Sequence, residues 1–194
     1  MRIDSPTNTG PAVAIDGLYG MVDPTFGNPD EQLRLLVNEA VEPVQLRCKH
    51  WPRDAVRALA LRWQGECRLV INDDAELAAE LGLVVHLGHD DGAPLGAYGR
   101  STHTMDQVRA ARGANYIGFG PVFATATKLQ GWPVAGVRAL MAAAHTFSGP
   151  VVAIGGISVQ NIDAVRQSGV AGWAVLAGIW RAPDPKTAIR DLKK

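Results

Sequence analysis

The sequence predicts an α/β protein built as one (β/α)8 barrel. Eight short apolar runs follow one another along the chain, and most are rich in β-branched or aromatic residues, as is typical of strands buried on both faces of a parallel sheet. Amphipathic segments with helix-start and helix-end residues separate most of these runs. Polar residues collect where the runs end, the place where a barrel enzyme builds its active site. An open doubly wound sheet is the alternative with the same alternation.

Each predicted strand is a run of five or six residues, and four of the runs have a glycine at or just beyond the end. The runs are GLYGMV (17–22), PVQLR (43–47), CRLVI (67–71), LVVHL (83–87), AYGRS (97–101), YIGFG (116–120), VVAIGG (151–156) and WAVLAG (173–178).

The predicted helices lie between these runs. The segment 28–40 opens with Asn28, Pro29 and acidic residues, and Thr104 is a plausible N-cap for the segment 101–113. The other segments are 52–65, 73–82, 158–169 and 184–194. Only GAPLGA (92–97) lies between HLGHDD (86–91) and YGRS (98–101), so the helix after strand 4 is predicted to be shortened or missing.

Length and composition favour a single domain over residues 1–194, with 1–15 as a loose polar lead-in. The 19 basic and 19 acidic residues are balanced and form no long run, which argues against a nucleic-acid or membrane-surface partner. No apolar stretch reaches the roughly 18 residues of a membrane span, and the N-terminus has no secretion signal. Two cysteines without a CxxC spacing fit reduced thiols in a cytoplasmic protein.

The stretch VQLRCKH is unusual for the end of a core strand. Gln45, Arg47 and Lys49 occupy alternate positions, so an extended backbone points all three side chains the same way. Two cations and an amide on one buried face favour an anionic ligand such as phosphate or diphosphate. An internal network of ion pairs with Asp73 or Asp91 is the alternative.

Acidic residues follow the next two strands. Asp73 and Asp74 end the third strand run, and Asp90 and Asp91 come one strand later. Carboxylates at neighbouring strand ends repel each other unless a cation lies between them, and with a bound diphosphate they form the usual Mg²⁺ arrangement. Helix capping and ion pairs with nearby cations remain open as the alternative. A zinc site at His86 and His89 is disfavoured because no third ligand has a clear spacing.

Two further segments suit phosphate. The loop FATATKLQG (123–131) carries two threonines and a lysine, although an ordinary solvated loop would explain these residues equally well. Small residues end the seventh and eighth strands, where backbone N–H groups of phosphate-binding barrels hold a phosphate monoester. Tight packing of the glycines is the alternative. Together the segments indicate two anion sites, as two phosphorylated small-molecule substrates would need.

Eight motifs together resemble the thiamine phosphate synthase family from Leu18 to Ile179. They are LYGMVDP, QLRCK, INDD, HLGHDD, STHT, YIGFGPVFATATK, AIGGIS and AVLAGI, in the order of the family. The resemblance implies a (β/α)8 barrel and a transferase of thiamine biosynthesis. It also implies that hydroxymethylpyrimidine diphosphate is joined to thiazole phosphate, with release of diphosphate and with Mg²⁺ as the cofactor.

The resemblance also implies a role for particular residues. The pyrimidine diphosphate would be held by Gln45, Arg47, Lys49, Asn72, Ser101 and Lys128. Among these, Arg47, Lys49 and Lys128 would stabilise the departing diphosphate, and Asp73 and Asp91 would bind Mg²⁺. The thiazole phosphate would be held by Thr125, Thr127, Gly156, Leu176 and Ala177.

The chain departs from the family at a few positions. His89 stands where Gln is usual, Ala124 and Ala126 replace prolines, and Ala177 replaces a serine that would contact the thiazole phosphate. The related thiazole tautomerase is therefore kept as an alternative, with His103 as its proton-transfer residue. A binding paralogue with impaired catalysis is a third reading, and association into a homo-oligomer is left open.

Overall fold

Eight parallel strands form a closed barrel, as predicted. The computed structural model describes residues 14–125 and 131–194. The strands are β1 (Gly17–Val22), β2 (Val44–Leu46), β3 (Leu69–Asn72), β4 (Val84–Leu87), β5 (Tyr98–Thr102), β6 (Tyr116–Phe119), β7 (Val151–Ile154) and β8 (Gly172–Ala174). Neighbours in the chain are neighbours in the sheet, and β8 pairs with β1 to close it. Closure excludes the open doubly wound sheet.

Every predicted run overlaps one of the strands. Strands β3 and β5 end one residue beyond their runs, at Asn72 and Thr102, and the last strand is shorter than expected. Its run was predicted to continue to Gly178, whereas β8 ends at Ala174 and a short helix begins at Ala177. The small residues after the strand therefore start a helix rather than extend the sheet.

Helices surround the barrel in the described ranges. They are α1 (Pro29–Asn38), α2 (Arg53–Trp63), α3 (Ala75–Leu81), α4 (Met105–Ala110), α5 (Gly136–Thr146), α6 (Ile162–Arg166), α7 (Ala177–Trp180) and α8 (Pro185–Lys193), with a 3-10 turn at Pro24–Phe26. Thr104 caps α4 as expected, because its side chain accepts a hydrogen bond from Gln107 N at 3.3 Å. None of the helices described has both the length and the apolar character needed to cross a membrane.

The helix predicted to be shortened or missing after β4 is absent. Residues 88–97 are all described, and they form turns and bends without a helix. Arg100, from β5, holds the start of this connection instead. Its Nη1 donates to the backbone oxygens of Gly88 (3.0 Å), His89 (3.2 Å) and Asp91 (2.7 Å).

The barrel interior is filled by side chains of several strands, including Tyr19 of β1 and Tyr116 of β6, both almost fully buried. A Cβ at Gly99 would lie 2.1 Å from the Tyr116 ring. Only glycine at this position of β5 therefore leaves room for the tyrosine. A second apolar cluster, which includes Leu33, Ile71 and Leu140, packs around the barrel.

Candidate active site

A cavity of about 700 Å³ lies at the carboxyl ends of the strands. Each of the eight strands contributes at least one residue to its wall: Met21, Gln45, Asn72, His86, Ser101, Gly118, Ile154 and Ala174. The loops that follow the strands supply the remaining wall, as in barrel enzymes generally.

The amide and the two cations of VQLRCKH all line this cavity. Strand β2 ends at Leu46, so Arg47 and Lys49 belong to the loop after it. Gln45 is buried and donates to Asn72 Oδ1 at 2.7 Å. Lys49 Nζ lies 3.7 Å from Asp73 Oδ2, and both side chains are about half exposed (43% and 51%). Such an open pair leaves the ammonium accessible to a ligand.

Arg47 has a partner that was not predicted. Its Nη1 forms an ion pair with Asp23 Oδ2, and the Asp23 side chain is only 2% exposed. The other carboxylate oxygen of Asp23 accepts hydrogen bonds from Thr25 N (2.9 Å) and Thr25 Oγ1 (2.7 Å). Asp23 follows β1, so the rule that polar residues gather at strand ends would have found it.

The two carboxylates assigned to Mg²⁺ border the same cavity. Asp73 has a left-handed backbone, with φ 64°, which aspartate tolerates better than most residues. Asp91 Oδ2 accepts a hydrogen bond from Gly88 N at 2.7 Å, which fixes the carboxylate against its own loop. Arg100 binds the backbone oxygen of the same residue, as described above.

These oxygens suit Mg²⁺ chemically. No group of three or more His, Cys, Asp or Glu side chains in residues 14–125 and 131–194 is arranged to hold a metal ion. Magnesium does not require one, because it is usually bound by one or two carboxylates, substrate phosphates and water. Two carboxylates beside two cations therefore fit a magnesium ion that arrives with a diphosphate.

His86 is held by hydroxyl groups on both sides. Its Nδ1 lies 3.0 Å from Tyr116 Oη, and its Nε2 lies 3.0 Å from Ser101 Oγ. The Tyr116 hydroxyl also meets the Tyr19 hydroxyl at 2.8 Å. Burial raises the pKa of both tyrosines, so both keep their protons at neutral pH. The geometry favours a hydrogen-bonded histidine rather than a zinc ligand.

A second cluster of rings borders the cavity at the loops. The His103 ring stacks on Trp132 with centroids 4.6 Å apart, and the His89 ring meets each of them edge-on. His103 Nδ1 lies 2.5 Å from the Gly120 backbone oxygen, which makes this nitrogen the donor. His89 Nε2 lies 2.8 Å from Asp90 Oδ2. Sequence reasoning did not single out Trp132, because no local pattern reveals such contacts.

Four residues assigned to the thiazole phosphate border the cavity on the side of β7 and β8: Thr125, Gly156, Leu176 and Ala177. The first backbone hydrogen bond at α7 is donated by Ile179 N to Leu176 O at 3.1 Å. The N–H groups of Leu176 and Ala177 come before this bond in the chain. Gly156 has φ 67°, and a Cβ there would lie 2.5 Å from Ala124 O. Packing alone therefore requires this glycine, whatever the loop binds. Thr127 and Lys128 lie outside the described residues.

Cys48 does not border the cavity, although both of its neighbours do. Burial, with the nearby Asp23 carboxylate, raises the pKa of the Cys48 thiol to about 12. The thiol is therefore protonated at neutral pH and has no role at the site.

The fold and the cavity define the class of protein: a (β/α)8 barrel with a cavity, lined by side chains of both signs of charge, at the carboxyl ends of its strands. The family described as thiamine monophosphate synthase matches residues 18–179. The chain belongs to this family.

Individual relatives agree with the family match. A thiamine-phosphate synthase of Anaeromyxobacter dehalogenans is 35% identical over 203 aligned residues, covering 95% of this chain and 90% of the relative. One of Thermus thermophilus is 39% identical, covering 79% and 82%. Among solved structures, a thiamine phosphate pyrophosphorylase from Pyrococcus furiosus has a TM-score of 0.78 at 27% identity, covering 91% of this chain and 93% of that one.

Proposed function

We propose that this chain is a thiamine phosphate synthase. It joins 4-amino-5-hydroxymethyl-2-methylpyrimidine diphosphate to thiazole phosphate and releases diphosphate. The family comparison confirms the expected enzyme class, a transferase. One observation carries the proposal for this chain: two cations and two carboxylates border the same cavity. They are Arg47, Lys49, Asp73 and Asp91.

The diphosphate is assigned to the side of the cavity formed by β2 and β3. Arg47 supplies a planar fork of donors and Lys49 a point charge. Asn72 is oriented by its hydrogen bond with Gln45, which lies 2.7 Å away. Lys128 is assigned to the same anion by the resemblance alone. The pyrimidine ring then lies over Ser101, which borders the same cavity.

The thiazole phosphate is assigned to the opposite side of the cavity. There the side chain of Thr125, the loop at Gly156 and the backbone N–H groups of Leu176 and Ala177 would hold it. Thr127 is assigned to the same phosphate by the resemblance alone. Ala177 supplies no hydroxyl to the phosphate. Backbone N–H groups therefore provide a larger share of the hydrogen bonds here than they would with a serine at this position.

The reaction requires no nucleophilic side chain. The bond between the pyrimidine methylene carbon and the diphosphate oxygen breaks, and its electron pair leaves with the diphosphate. The ring amino group delocalises the positive charge of the methylene carbon, and the lone pair of the thiazole nitrogen forms the new C–N bond. Arg47 and Lys49 stabilise the negative charge that grows on the leaving oxygen, and Asp23 fixes Arg47 for this purpose.

Asp73 and Asp91 would hold Mg²⁺ against the diphosphate. When bound, the ion supplies further stabilisation of the leaving group by charge. The two carboxylates also keep the cavity from carrying an excess of positive charge before the ligand arrives.

A direct assay tests the proposal. Purified protein is mixed with both substrates and Mg²⁺, and thiamine phosphate is followed by its oxidation to fluorescent thiochrome. We expect product that depends on Mg²⁺ and on both substrates. Absence of product from folded protein, with a synthase from a relative active alongside, would contradict the proposal.

Thiazole tautomerase activity is the second candidate, because His103 borders the cavity and its ring is oriented by the hydrogen bond from Nδ1 to the Gly120 carbonyl. Two variants separate the candidates. For a synthase, Asp73→Asn abolishes Mg²⁺-dependent turnover and His103→Ala does not. If His103→Ala alone removes activity, the tautomerase is the correct assignment.

The proposal includes a cytoplasmic location. Both cysteines are free and buried, which suits a reducing compartment without requiring one.

A further inference from the structure

A line of four hydrogen-bonding side chains runs through the barrel interior to the cavity. It passes from Tyr19 on β1 to Tyr116 on β6, to His86 on β4 and to Ser101 on β5, with successive separations of 2.8, 3.0 and 3.0 Å. Tyr19, at one end, is 2% exposed, and Ser101, at the other, borders the cavity. The four strands hold these groups rigidly, so the line has a definite order of donors and acceptors.

The buried end sets that order. In the described part of the chain, the Tyr19 hydroxyl has one hydrogen-bond partner, the Tyr116 hydroxyl. If Tyr19 only accepted, its own O–H would be buried without an acceptor, which costs about 1–3 kcal/mol. Tyr19 therefore donates to Tyr116.

The remaining assignments follow one from another. The single proton of Tyr116 goes to His86 Nδ1, because its oxygen already accepts from Tyr19. His86 then carries its proton on Nε2 and donates it to Ser101 Oγ. The raised pKa values of the two buried tyrosines keep both protons in place. In the described residues Ser101 Oγ has no hydrogen-bond partner besides His86, so its own proton faces the cavity.

We propose that Tyr116 and His86 are positioning residues that oblige the Ser101 hydroxyl to donate into the cavity. This point of the site then selects a hydrogen-bond acceptor. Under the proposed function, on which this inference rests, the acceptor is a ring nitrogen of the pyrimidine and not its exocyclic amino group, which is a donor. The ligand class is a planar heteroaromatic ring with an in-plane lone pair.

The first test measures the His86 tautomer and needs no substrate. The protein is labelled with ¹⁵N-histidine, and the His86 signals are identified by their loss in His86→Gln. The expected spectrum has the proton on Nε2 and none on Nδ1. Tyr116→Phe removes the donor to Nδ1, so an Nδ1–H population is expected to appear. A spectrum with the proton on Nδ1 in the unmodified protein would overturn the proposal.

Tyr19→Phe is the matched control. It also removes one buried hydroxyl from the same line, but Tyr116 can still donate to His86 Nδ1, so the Nε2–H tautomer should persist. A purely structural role would predict similar spectra for the two phenylalanine variants. If Tyr19→Phe changed the tautomer as much as Tyr116→Phe, the assigned order would be wrong.

The second test uses calorimetry to measure how strongly the site prefers a ring nitrogen to a C–H group. The pyrimidine diphosphate is compared with two analogues, each with one ring nitrogen replaced by C–H. One analogue should bind about 3- to 10-fold more weakly, the scale of one lost hydrogen bond. That preference should vanish in Ser101→Ala, shrink in Tyr116→Phe and persist in Tyr19→Phe.

The two tests separate this inference from the proposed function. If Ser101→Ala discriminated between the analogues as strongly as the unmodified protein, the inference would fail while synthase activity could stand. If no thiamine phosphate formed but the tautomer and the preference were as expected, the proposed function would fail and the role of Ser101 would hold.

Discussion

Arg47 is fixed by Asp23 before any ligand arrives. The carboxylate is almost completely buried, and its second oxygen is occupied by two hydrogen bonds from Thr25. A guanidinium held in this way loses little rotational freedom when a diphosphate binds. Under the proposed function this arrangement is electrostatic preorganisation, because a donor fixed in advance needs no reorganisation as negative charge develops.

Replacing Asp23 tests that arrangement. Asp23→Asn removes the charge that holds Arg47, and a hydrogen bond between charged groups contributes about 1.5–3 kcal/mol. We expect inorganic diphosphate, in the presence of Mg²⁺, to bind at least about tenfold more weakly by calorimetry. Thr25→Val is the control, because it removes one bond to Asp23 and leaves the ion pair. Unchanged affinity in Asp23→Asn would show that Arg47 needs no support.

Two adjacent carboxylates at the cavity, Asp90 and Asp91, have different partners and offer a sharp test of the metal assignment. Asp91 is fixed by Gly88 N, whereas the Asp90 side chain is 87% exposed and pairs with His89. Asp91→Asn should weaken Mg²⁺ binding about tenfold or more when diphosphate is present, the scale seen on disturbing metal sites. Asp90→Asn, which changes the net charge equally, should have little effect. Equal effects would mean that general charge, rather than ligation, attracts the ion.

At the residue scale, sequence reasoning predicted which side chains lie at the candidate site but missed the contact that fixes Arg47 there. Gln45, Arg47 and Asn72 were predicted because strand ends of a parallel barrel meet at one edge. The strand-end rule would have placed Asp23 at the site, but its ion pair with Arg47 joins positions 24 residues apart, at the ends of the paired strands β1 and β2. Only the register of neighbouring strands determines such a contact, and no local pattern encodes it.

The connection after β4 shows how one side chain substitutes for a helix. In the described structure a single nitrogen of Arg100 is within hydrogen-bond distance of three backbone oxygens of residues 88–91. The Arg100 guanidinium also lies 5.2 Å from the centre of the Tyr98 ring. Because Asp91 belongs to this segment, its position depends on the arginine.

Arg100→Ala is therefore expected to loosen the segment without unfolding the barrel. The variant leaves three backbone oxygens without their donor, so amide hydrogen exchange of residues 88–97 should accelerate. Mg²⁺ affinity should also fall, because Asp91 lies in the loosened segment. Arg109→Ala is the control, since Arg109 forms an exposed pair with Asp106 on α4. If exchange were unchanged in Arg100→Ala, contacts other than those of Arg100 would be what keeps residues 88–97 in place.

At the element scale, all eight strands and the missing helix were predicted, but helix α5 was not. Its sequence, GVRALMAAAHT, has helix-forming residues, and Leu140 and Ala143 are buried. No side chain caps its first turn, so the usual start residue is lacking. The boundary between β8 and α7 was missed for a related reason: small apolar residues continue across it without a change in pattern.

At the scale of the whole molecule, the site exists only when the barrel is closed. Its wall takes residues from all eight strands, and β1 lies next to β8 although their sequences are farthest apart. Unfolding therefore destroys the whole cavity at once. A ligand that binds the cavity stabilises the complete fold through mass action and not one local segment.

This linkage predicts how Mg²⁺ and diphosphate together change the Tm of the protein. At ligand concentrations of about 100 times Kd, the added stability is about 2.7 kcal/mol, which for a chain of this size raises Tm by about 5–10 °C. Mg²⁺ with inorganic diphosphate should reach this increase, and either one alone should give much less, because the proposed ion would be held jointly by Asp73, Asp91 and the diphosphate.

Asp73→Asn identifies the source of that increase. Asparagine tolerates the left-handed backbone at this position, where φ is 64°, so the Tm without ligand should stay close to that of the unmodified protein. The joint effect of Mg²⁺ and diphosphate should be lost, measured by thermal unfolding over a concentration series. If the two ligands instead raised Tm additively, and did so equally in Asp73→Asn, they would bind independently and the shared site would be refuted.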